Sequence, residues 1–528
     1  MPTLMPTVTT PPQLVGAERL IIATNRGPVE YYLTQDKELK YRRGAGGMVT
    51  ALMGTGNRMD VTWVAMAMTE GDRIALKQAQ QNAGLLQSPL PGQKMQLRYV
   101  AIPKPAYRKH YDQISNQVLW FLQHYLYDRS EEALSDEVVQ DAWENGYCRA
   151  NQAIAKAICA ELEHDNIPGV VMLHDYHLYL ASAIIRECRP DVVMQQFIHI
   201  PWPEVRYWQQ CLPSKITQAI FKGLLGNDLV GFQTRRDEHN FLEGVDALLE
   251  GAEVNFEDGT IDWQGHCTKV RAYPISISVS EERRIVQSRA GKHAAEKIRG
   301  FLSKQMQTIM RVDRLEPTKN IVRGFQAYAQ LLEEHPELRG KVTFLTFLVP
   351  SRQTLSKYQR YKDDVLKIIE DINKKYGSAE WTPVHTFLEN DRTQALAAMQ
   401  YYDVLLVNPL IDGMNLVAKE GPVVNKKDGM LVLSNTAGAF QQLGKFSIPI
   451  SPTDTAETAA ALYKALMMPL EERHLKATMA SQSIERHNLN KWMTGQISDI
   501  NAVIESGCQP NVSDELDEIM KGFAVGVG

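Results

Sequence analysis

Short apolar runs separated by longer amphipathic stretches set the rhythm of this chain. Leu20-Ile21-Ile22-Ala23 is the first such run; 61–66, 98–102, 169–173, 193–200 and 228–232 follow. The runs are continuous rather than alternating, the pattern of strands buried on both faces. Segments of helical period lie between them, for example 148–164 and 177–187. Strands alternating with helices predict a parallel, doubly wound sheet. The rhythm pauses at Tyr273-Pro274-Ile275-Ser276-Ile277-Ser278, and the charged stretch 280–303 that follows reads as one helix. It then resumes with predicted strands at 308–312, 342–348, 384–388, 404–407, 430–434 and 448–450. The expectation is α/β: two consecutive doubly wound halves hinged near 275, with no visible internal repeat. Residues 1–16, rich in Pro and Thr, read as a disordered leader. The halves then span 17–275 and 276–489, residues 490–505 form a last amphipathic helix, and 506–528 a loose tail.

In open α/β sheets ligands bind beyond the carboxyl ends of the strands, so the residues just after each run are the ones to inspect. The first strand leads into Thr24-Asn25-Arg26-Gly27-Pro28 and then a glycine cluster, Gly44-Ala45-Gly46-Gly47, predicted to open a helix. Glycines at a helix start let backbone N–H groups approach a phosphate. The full dinucleotide fingerprint is absent, however, and a plain tight turn explains the cluster equally well. Later runs lead into His174-Asp175-Tyr176-His177-Leu178 and into His199-Ile200-Pro201-Trp202-Pro203. Two histidines three apart without a supporting third ligand do not make a zinc site, so no metal is expected.

In the second half, one strand leads into Asp313-Arg314-Leu315-Glu316-Pro317-Thr318-Lys319-Asn320. Another leads into Pro350-Ser351-Arg352, and a third into the segment Asp412-Gly413-Met414-Asn415-Leu416-Val417-Ala418-Lys419-Glu420. Basic side chains after two separate strands are expected to converge at one mouth. The segment from Gly413 reads as the start of a helix whose unpaired N–H groups and dipole face that mouth. Such an arrangement suits a diphosphate.

Composition narrows the partners. At 528 residues the chain is too long for one core. A net charge of −5 gives no general attraction to nucleic acid or anionic lipid. Six cysteines without a C-x-x-C pair read as reduced thiols. The first residues resemble neither a signal peptide nor an anchor, and no apolar run approaches a membrane span, so a cytoplasmic protein without nucleic-acid or membrane partners is expected.

D-G-M-N-L-V-A-K-E at 412–420, H-D-Y-H-L at 174–178, H-I-P-W-P at 199–203 and R-L-x-x-x-K at 314–319 together resemble the retaining glycosyltransferases that include the trehalose-6-phosphate synthases, from about residue 19 to 505. The resemblance implies the GT-B fold, two Rossmann-like domains facing across a cleft. The first would bind the acceptor and the second the nucleotide sugar, with 490–505 crossing back to the first domain. It implies that Arg314 and Lys319 hold the donor's phosphates, with Gly46 and Gly47 also on the donor side. The backbone at Gly413, Met414, Asn415, Leu416 and Val417 would cap those phosphates, and Glu420 would bind the ribose. Asp412 and His199 would grip the transferred glucose, and Asp175 would sit near the acceptor and the reacting face. Arg26, Tyr111, Trp120 and Arg352 would receive the acceptor, the two arginines on its phosphate. No cofactor is implied: the substrates are a nucleoside-diphosphate glucose and a sugar phosphate, joined with retention of configuration by same-face attack.

Within that family three acceptor readings compete. Asn25-Arg26 and Pro350-Ser351-Arg352 favour glucose 6-phosphate, hence α,α-trehalose 6-phosphate as product. They argue against the branch that uses glycerol 3-phosphate to make glucosylglycerol phosphate. Trp63-Val64-Ala65 and Thr69-Glu70-Gly71-Asp72-Arg73 have some likeness to cyclitol-coupling pseudo-glycosyltransferases, but the intact D-G-M-N-L favours a true synthase. A silent sugar-phosphate sensor should have broken donor residues, whereas Arg314, Lys319, Asp412 and Glu420 are all present. Two departures stand out: Ile411 where the family often has arginine, and Ala65 where glycine is common. The donor base is left open among UDP, ADP and GDP. Family members often self-associate, so a homo-oligomer is a further expectation. No phosphatase domain follows residue 505, so a separate phosphatase is expected to act on the product.

Overall fold

The computed structural model describes residues 14–15, 17–44, 60–91, 95–127, 134–163, 169–302, 306–352 and 355–506. The expected leader and tail therefore lie almost wholly outside the described residues, as do Gly46 and Gly47. Two residues of the expected leader are packed: Leu14 is buried, and the Val15 N–H donates to Asn501 Oδ1 at 2.9 Å. Among the described residues no helix is long and apolar enough to cross a membrane.

The chain divides into two compact units. One comprises the described residues up to Tyr273 together with those from Met493; the other is Pro274–Trp492. In the first unit the strands are β1 (Arg19–Thr24), β2 (Val29–Leu33), β3 (Leu39–Arg43), β4 (Asp60–Met66), β5 (Leu86–Gln87), β6 (Met95–Val100), β7 (Gly169–His174), β8 (Val193–Phe197), β9 (Leu229–Phe232), β10 (Glu253–Asn255), β11 (Thr260–Trp263) and β12 (His266–Ala272). Ten of them form one sheet in the order β10-β11-β12-β9-β8-β7-β1-β4-β6-β5, while β2 and β3 pair as a separate hairpin. From β12 to β6 every pairing is parallel; β10, β11 and β5 add antiparallel edges. The parallel strands other than β12 overlap the continuous apolar runs and are buried, as in the Ile21, Ala23, Val64, Val171, Leu173 and Met194 core, whereas β12 is polar and mostly half-buried and gave no such run. The hairpin and the antiparallel edges gave no such run, because their residues are largely exposed or half-buried and polar.

The second unit has β13 (Gln307–Arg314), β14 (Val342–Val349), β15 (Val384–Phe387), β16 (Val404–Val407), β17 (Met430–Ser434) and β18 (Ile448–Ile450). They form an all-parallel sheet in the order β15-β14-β13-β16-β17-β18. The core around Phe325, Tyr328, Phe344 and Leu462 fills the space against the helices. Each strand predicted in this unit is present within a residue or two; in the first unit the runs at 98–102 and 193–200 are strands over Met95–Val100 and Val193–Phe197. The single helix expected over 280–303 is instead two, Val279–Gln287 and Arg289–Phe301. Ser288 adopts an extended conformation and its Oγ accepts from the Gly291 N–H at 3.0 Å, which starts a new helix there.

Strand order fixes where a site can form. In the first unit the chain runs outward from β1 to β4 and β6, then returns to start the other side at β7. In the second it runs from β13 to β14 and β15, then returns to β16. The crevices at β1/β7 and β13/β16 are the topological switch points, where the helices on either side part and leave the strand ends open.

Candidate active site

The first unit's switch point gathers the residues after β1 and β7. Asn25 is buried; its Nδ2 donates to Tyr107 OH at 3.4 Å, and its Oδ1 lies 3.3 Å from His110 Nε2. Arg26, 40% exposed along its side chain, pairs with Glu30 at 3.6 Å. Tyr107 and His110 stand on the helical run that starts at Lys104 and widens into π-helical turns over Lys109–Leu119. The same run carries Tyr111, stacked between Tyr107 (5.6 Å) and His177 (5.8 Å). Trp120 follows it, 5.8 Å from the Tyr176 ring. Tyr111 and Trp120 thus both pack against the loop after β7, which holds Asp175. Burial lowers the His110 pKa to about 3, so its imidazole is neutral.

Asp175 takes a left-handed backbone (φ 72°), a conformation that an Asp tolerates better than most residues. Its N–H donates to Phe197 O at 2.8 Å, and its Oδ1 accepts from the His199 N–H at 3.3 Å. The two strand-end loops are therefore locked to each other. His174 Nδ1 lies 3.3 Å from His199 Nε2, so one ring donates and the other accepts. Burial lowers the His199 pKa to about 3, and burial with the His199 neighbour lowers that of His174 well below its usual value. Both rings are neutral near pH 7. Trp202 of the H-I-P-W-P segment is buried among Trp208, Phe221, Phe232 and Phe241, an anchor rather than a surface group.

The second unit's switch point brings the basic residues together. Arg314 ends β13 and Arg352 follows β14, strands paired so that Arg314 stands opposite Val349. Both guanidiniums reach the same oxygen, Glu316 Oε1, at 3.1 Å each, and Ser351 Oγ donates to it at 2.9 Å. Glu316 is fully buried. Burial pushes its pKa up, but Arg314, Arg352 and Lys319 more than offset this and hold it below the ordinary carboxylate value. Lys319 forms an ion pair with Asp412, whose Oδ2 also accepts from Asn415 Nδ2 at 3.1 Å. The expected convergence of basic groups after two strands is present.

The helix expected from Gly413 starts later, at Val417. Asn415 has φ 71°, outside the α-helical region, and its Oδ1 accepts from the Ala418 N–H at 3.2 Å. Residues 412–415 are instead a loop clamped to 437–439: Gly438 N–H donates to Asp412 O (2.9 Å) and Ala439 N–H to Met414 O (2.8 Å). The approach is so close that a Cβ on Gly438 would fall 1.9 Å from Gly413 O. Gly413, Met414 and Asn415 are buried; Leu416 and Val417 are half-buried. Glu420, on that helix, pairs with Arg392 at 3.4 Å.

Several supporting residues were not legible in the sequence. Arg311 is fully buried and donates to Asp313 Oδ2 (3.0 Å), Asn408 Oδ1 (2.9 Å) and Lys319 O (3.1 Å). It thereby fixes the loop that carries Lys319. Glu316 lies inside R-L-x-x-x-K, yet nothing in its spacing marks it as the acid that gathers two arginines. An arginine in an otherwise apolar strand, Ile309-Met310-Arg311-Val312, was the available signal, since an arginine is almost never fully buried without partners.

Two doubly wound units, each with polar and charged side chains collected at its switch point, define a protein of the doubly wound α/β class. The family model for glycosyltransferase family 20 matches residues 18–502, and the chain belongs to that family, whose two Rossmann-like units make the GT-B fold. It is similar to the UDP-forming α,α-trehalose-phosphate synthase A of Dictyostelium discoideum (29% identity over 92% of this chain) and to the bifunctional trehalose-6-phosphate synthase/phosphatase of Thermoproteus tenax (32% over 90%). The chain spans 62% of the length of each of these two relatives. The Mycobacterium avium trehalose-6-phosphate synthase is 29% identical, with 93% of this chain and 96% of the relative covered. Among solved structures, that of the E. coli protein bound with UDP-2-fluoro glucose superposes with a TM-score of 0.77 at 27% identity, covering 92% of this chain and 99% of the other.

Proposed function

We propose that this chain transfers a glucosyl unit, with retention, from UDP-glucose to glucose 6-phosphate, giving α,α-trehalose 6-phosphate. The observation that carries the reading is the pair of guanidiniums tethered to buried Glu316, beside the Lys319–Asp412 pair, at the β13/β16 switch point of a family 20 chain.

The chemistry follows from where charge develops. Cleaving the bond between the anomeric carbon and the diphosphate builds negative charge on the leaving phosphate. Donors fixed in advance favour that charge without reorganising, and each is worth roughly 3–4 kcal/mol. In this reading Arg314 and Lys319 are those donors. Glu316 keeps Arg314 oriented, and the Arg311 bond to Lys319 O keeps the lysine's backbone in place. Lys319 exchanges part of its contact with Asp412 for the diphosphate, which leaves Asp412 to accept glucose hydroxyls. The backbone of 413–417 caps the phosphates; with Asn415 left-handed, its N–H groups come from a clamped loop and the first turn of a helix.

On the first unit, neutral His199 hydrogen-bonds the glucose without adding charge, and Asp175 sits by the reacting face. Arg26 and Arg352 take the acceptor's phosphate, with Tyr111 and Trp120 packing the acceptor. The leaving phosphate then receives the acceptor's proton on the face it has just left. A cytoplasmic setting completes the reading.

The test is a product assay: UDP-, ADP- and GDP-glucose, each offered with glucose 6-phosphate and with glycerol 3-phosphate. The expected product is a phosphorylated disaccharide from UDP-glucose and glucose 6-phosphate, α,α-linked by NMR. Product with glycerol 3-phosphate alone, or none with either acceptor, overturns the assignment.

A further inference from the structure

We propose that Arg392 is a positioning residue for the donor's ribose: it sets the orientation and charge of the Glu420 carboxylate, and buried Glu282 holds it in place. The inference rests on the assignment of Glu420 to the ribose hydroxyls.

Three helices of the second unit, Val279–Gln287, Arg392–Met399 and Val417–Val424, pack on one another, and each contributes one residue to a common point. Arg392 is the first residue of its helix, which Asp391 caps by accepting from the Gln394 N–H at 2.9 Å. Its guanidinium makes a close ion pair with Glu282 Oε1 and a longer contact, 3.4 Å, with Glu420 Oε1. Glu282 is 4% exposed along its side chain, and its Oε2 has no hydrogen-bond partner. This one short pairing tethers the guanidinium to a buried acid, and Arg392 in turn is what favours the ionised form of Glu282 there. Arg392 is half-exposed, but its guanidinium is tethered at the Glu282 end.

The Glu420 backbone is fixed as well. Its N–H donates to Leu416 O at 2.8 Å, and the neighbouring Lys419 ammonium donates to Ile275 O at 2.7 Å. The remaining variables are the rotation of the carboxylate and its ionisation. Arg392 acts on both. It engages only Oε1 of a group with two acceptor oxygens. Burial raises the Glu420 pKa and Arg392 opposes that rise; burial and then Glu420 raise the Glu282 pKa to about 7, against the same guanidinium. A carboxylate kept ionised accepts from both hydroxyls of a ribose, whereas a protonated one would have to donate.

The measurement is calorimetric binding of UDP and of 2′,3′-dideoxy-UDP to the wild type, Arg392→Gln, Arg392→Lys, Glu420→Gln and the Arg392/Glu420 double variant, with kcat at saturating donor. Losing one charge-assisted contact should weaken UDP binding about 10-fold in Arg392→Gln, while dideoxy-UDP binding and kcat change little. Lysine keeps the charge without the planar fork and should recover part of the loss. In the Glu420→Gln background, Arg392→Gln should add almost nothing. Equal weakening of both nucleotides, or a fall in kcat with unchanged UDP affinity, would overturn the role of Arg392. Wild-type UDP affinity in Glu420→Gln would instead refute the ribose assignment, and the inference with it.

Discussion

Replacing Glu316 with glutamine keeps the shape of the side chain and removes its charge, so it isolates what the carboxylate does. In the structure one oxygen accepts from Arg314, Arg352 and Ser351. The two ion pairs differ in weight. Arg352 is 13% exposed and Glu316 is buried, so this pair is shielded from water, and removing one partner of such a pair costs about 3–5 kcal/mol when the other stays charged. Arg314 is 48% exposed, and its contact is screened to roughly 0–1 kcal/mol. Glutamine still accepts a neutral hydrogen bond, which returns about 1 kcal/mol. The sum is a loss of about 3 kcal/mol, or roughly 6–12 °C in the melting of a unit this size. The pH dependence has a definite sign. The folded-state pKa of Glu316 lies below its unfolded value of about 4.3, so its contribution is complete above that value and disappears as pH falls through the folded one. The variant should lose that part of the acid sensitivity. Turnover should fall as well, by up to about 5-fold, because Arg314 is less firmly held where leaving-group charge develops and the lost contact is worth no more than about 1 kcal/mol. The assays are a melting curve at pH 7 and pH 4 and UDP release under saturating substrates. A variant that melts within 2 °C of wild type (about 1 kcal/mol or less) and turns over normally would refute the argument.

The other predictions are simpler. Arg314→Ala should lower kcat by about 10²–10³-fold while the melting temperature moves little, since the side chain is half-exposed; the same UDP-release assay decides it. Asn415→Ala should cost about 1 kcal/mol by removing the bond to the Ala418 N–H, with added strain at φ 71°, whereas Asn415→Gly should be milder; urea titration of the two compares them. Lys419 is buried, which lowers its pKa to about 7, below its unfolded value of about 10.4. The unfolded chain therefore binds more protons between these values, and stability from this group should rise with pH across that window. Lys419→Met should flatten the rise between pH 7 and pH 9, and an unchanged slope would count against a lysine buried this way.

The sheets were legible because a strand buried on both faces must be apolar along its whole length. Val342–Val349 and Val404–Val407 announce themselves for that reason. The hairpin Val29–Leu33 with Leu39–Arg43 did not, since its tyrosines and arginines stay largely in water and carry no burial signal. The break at Ser288 was equally quiet: the helical period continues through it, and only the cap bond to Gly291 ends one helix and begins the next.

The sequence by itself determined the α/β class, the two-part organisation and the strand-end segments that carry Asp175, His199, Arg314, Lys319 and Asp412, because burial and strand order act locally on residue type. Only the tertiary structure decided which of these meet. Arg314 and Arg352 are 38 positions apart in the chain and share one oxygen of Glu316, and Glu282 reaches Glu420 only through Arg392. Such pairings depend on strand register and helix packing, which bring distant segments within 3–4 Å and leave no periodic trace in the sequence.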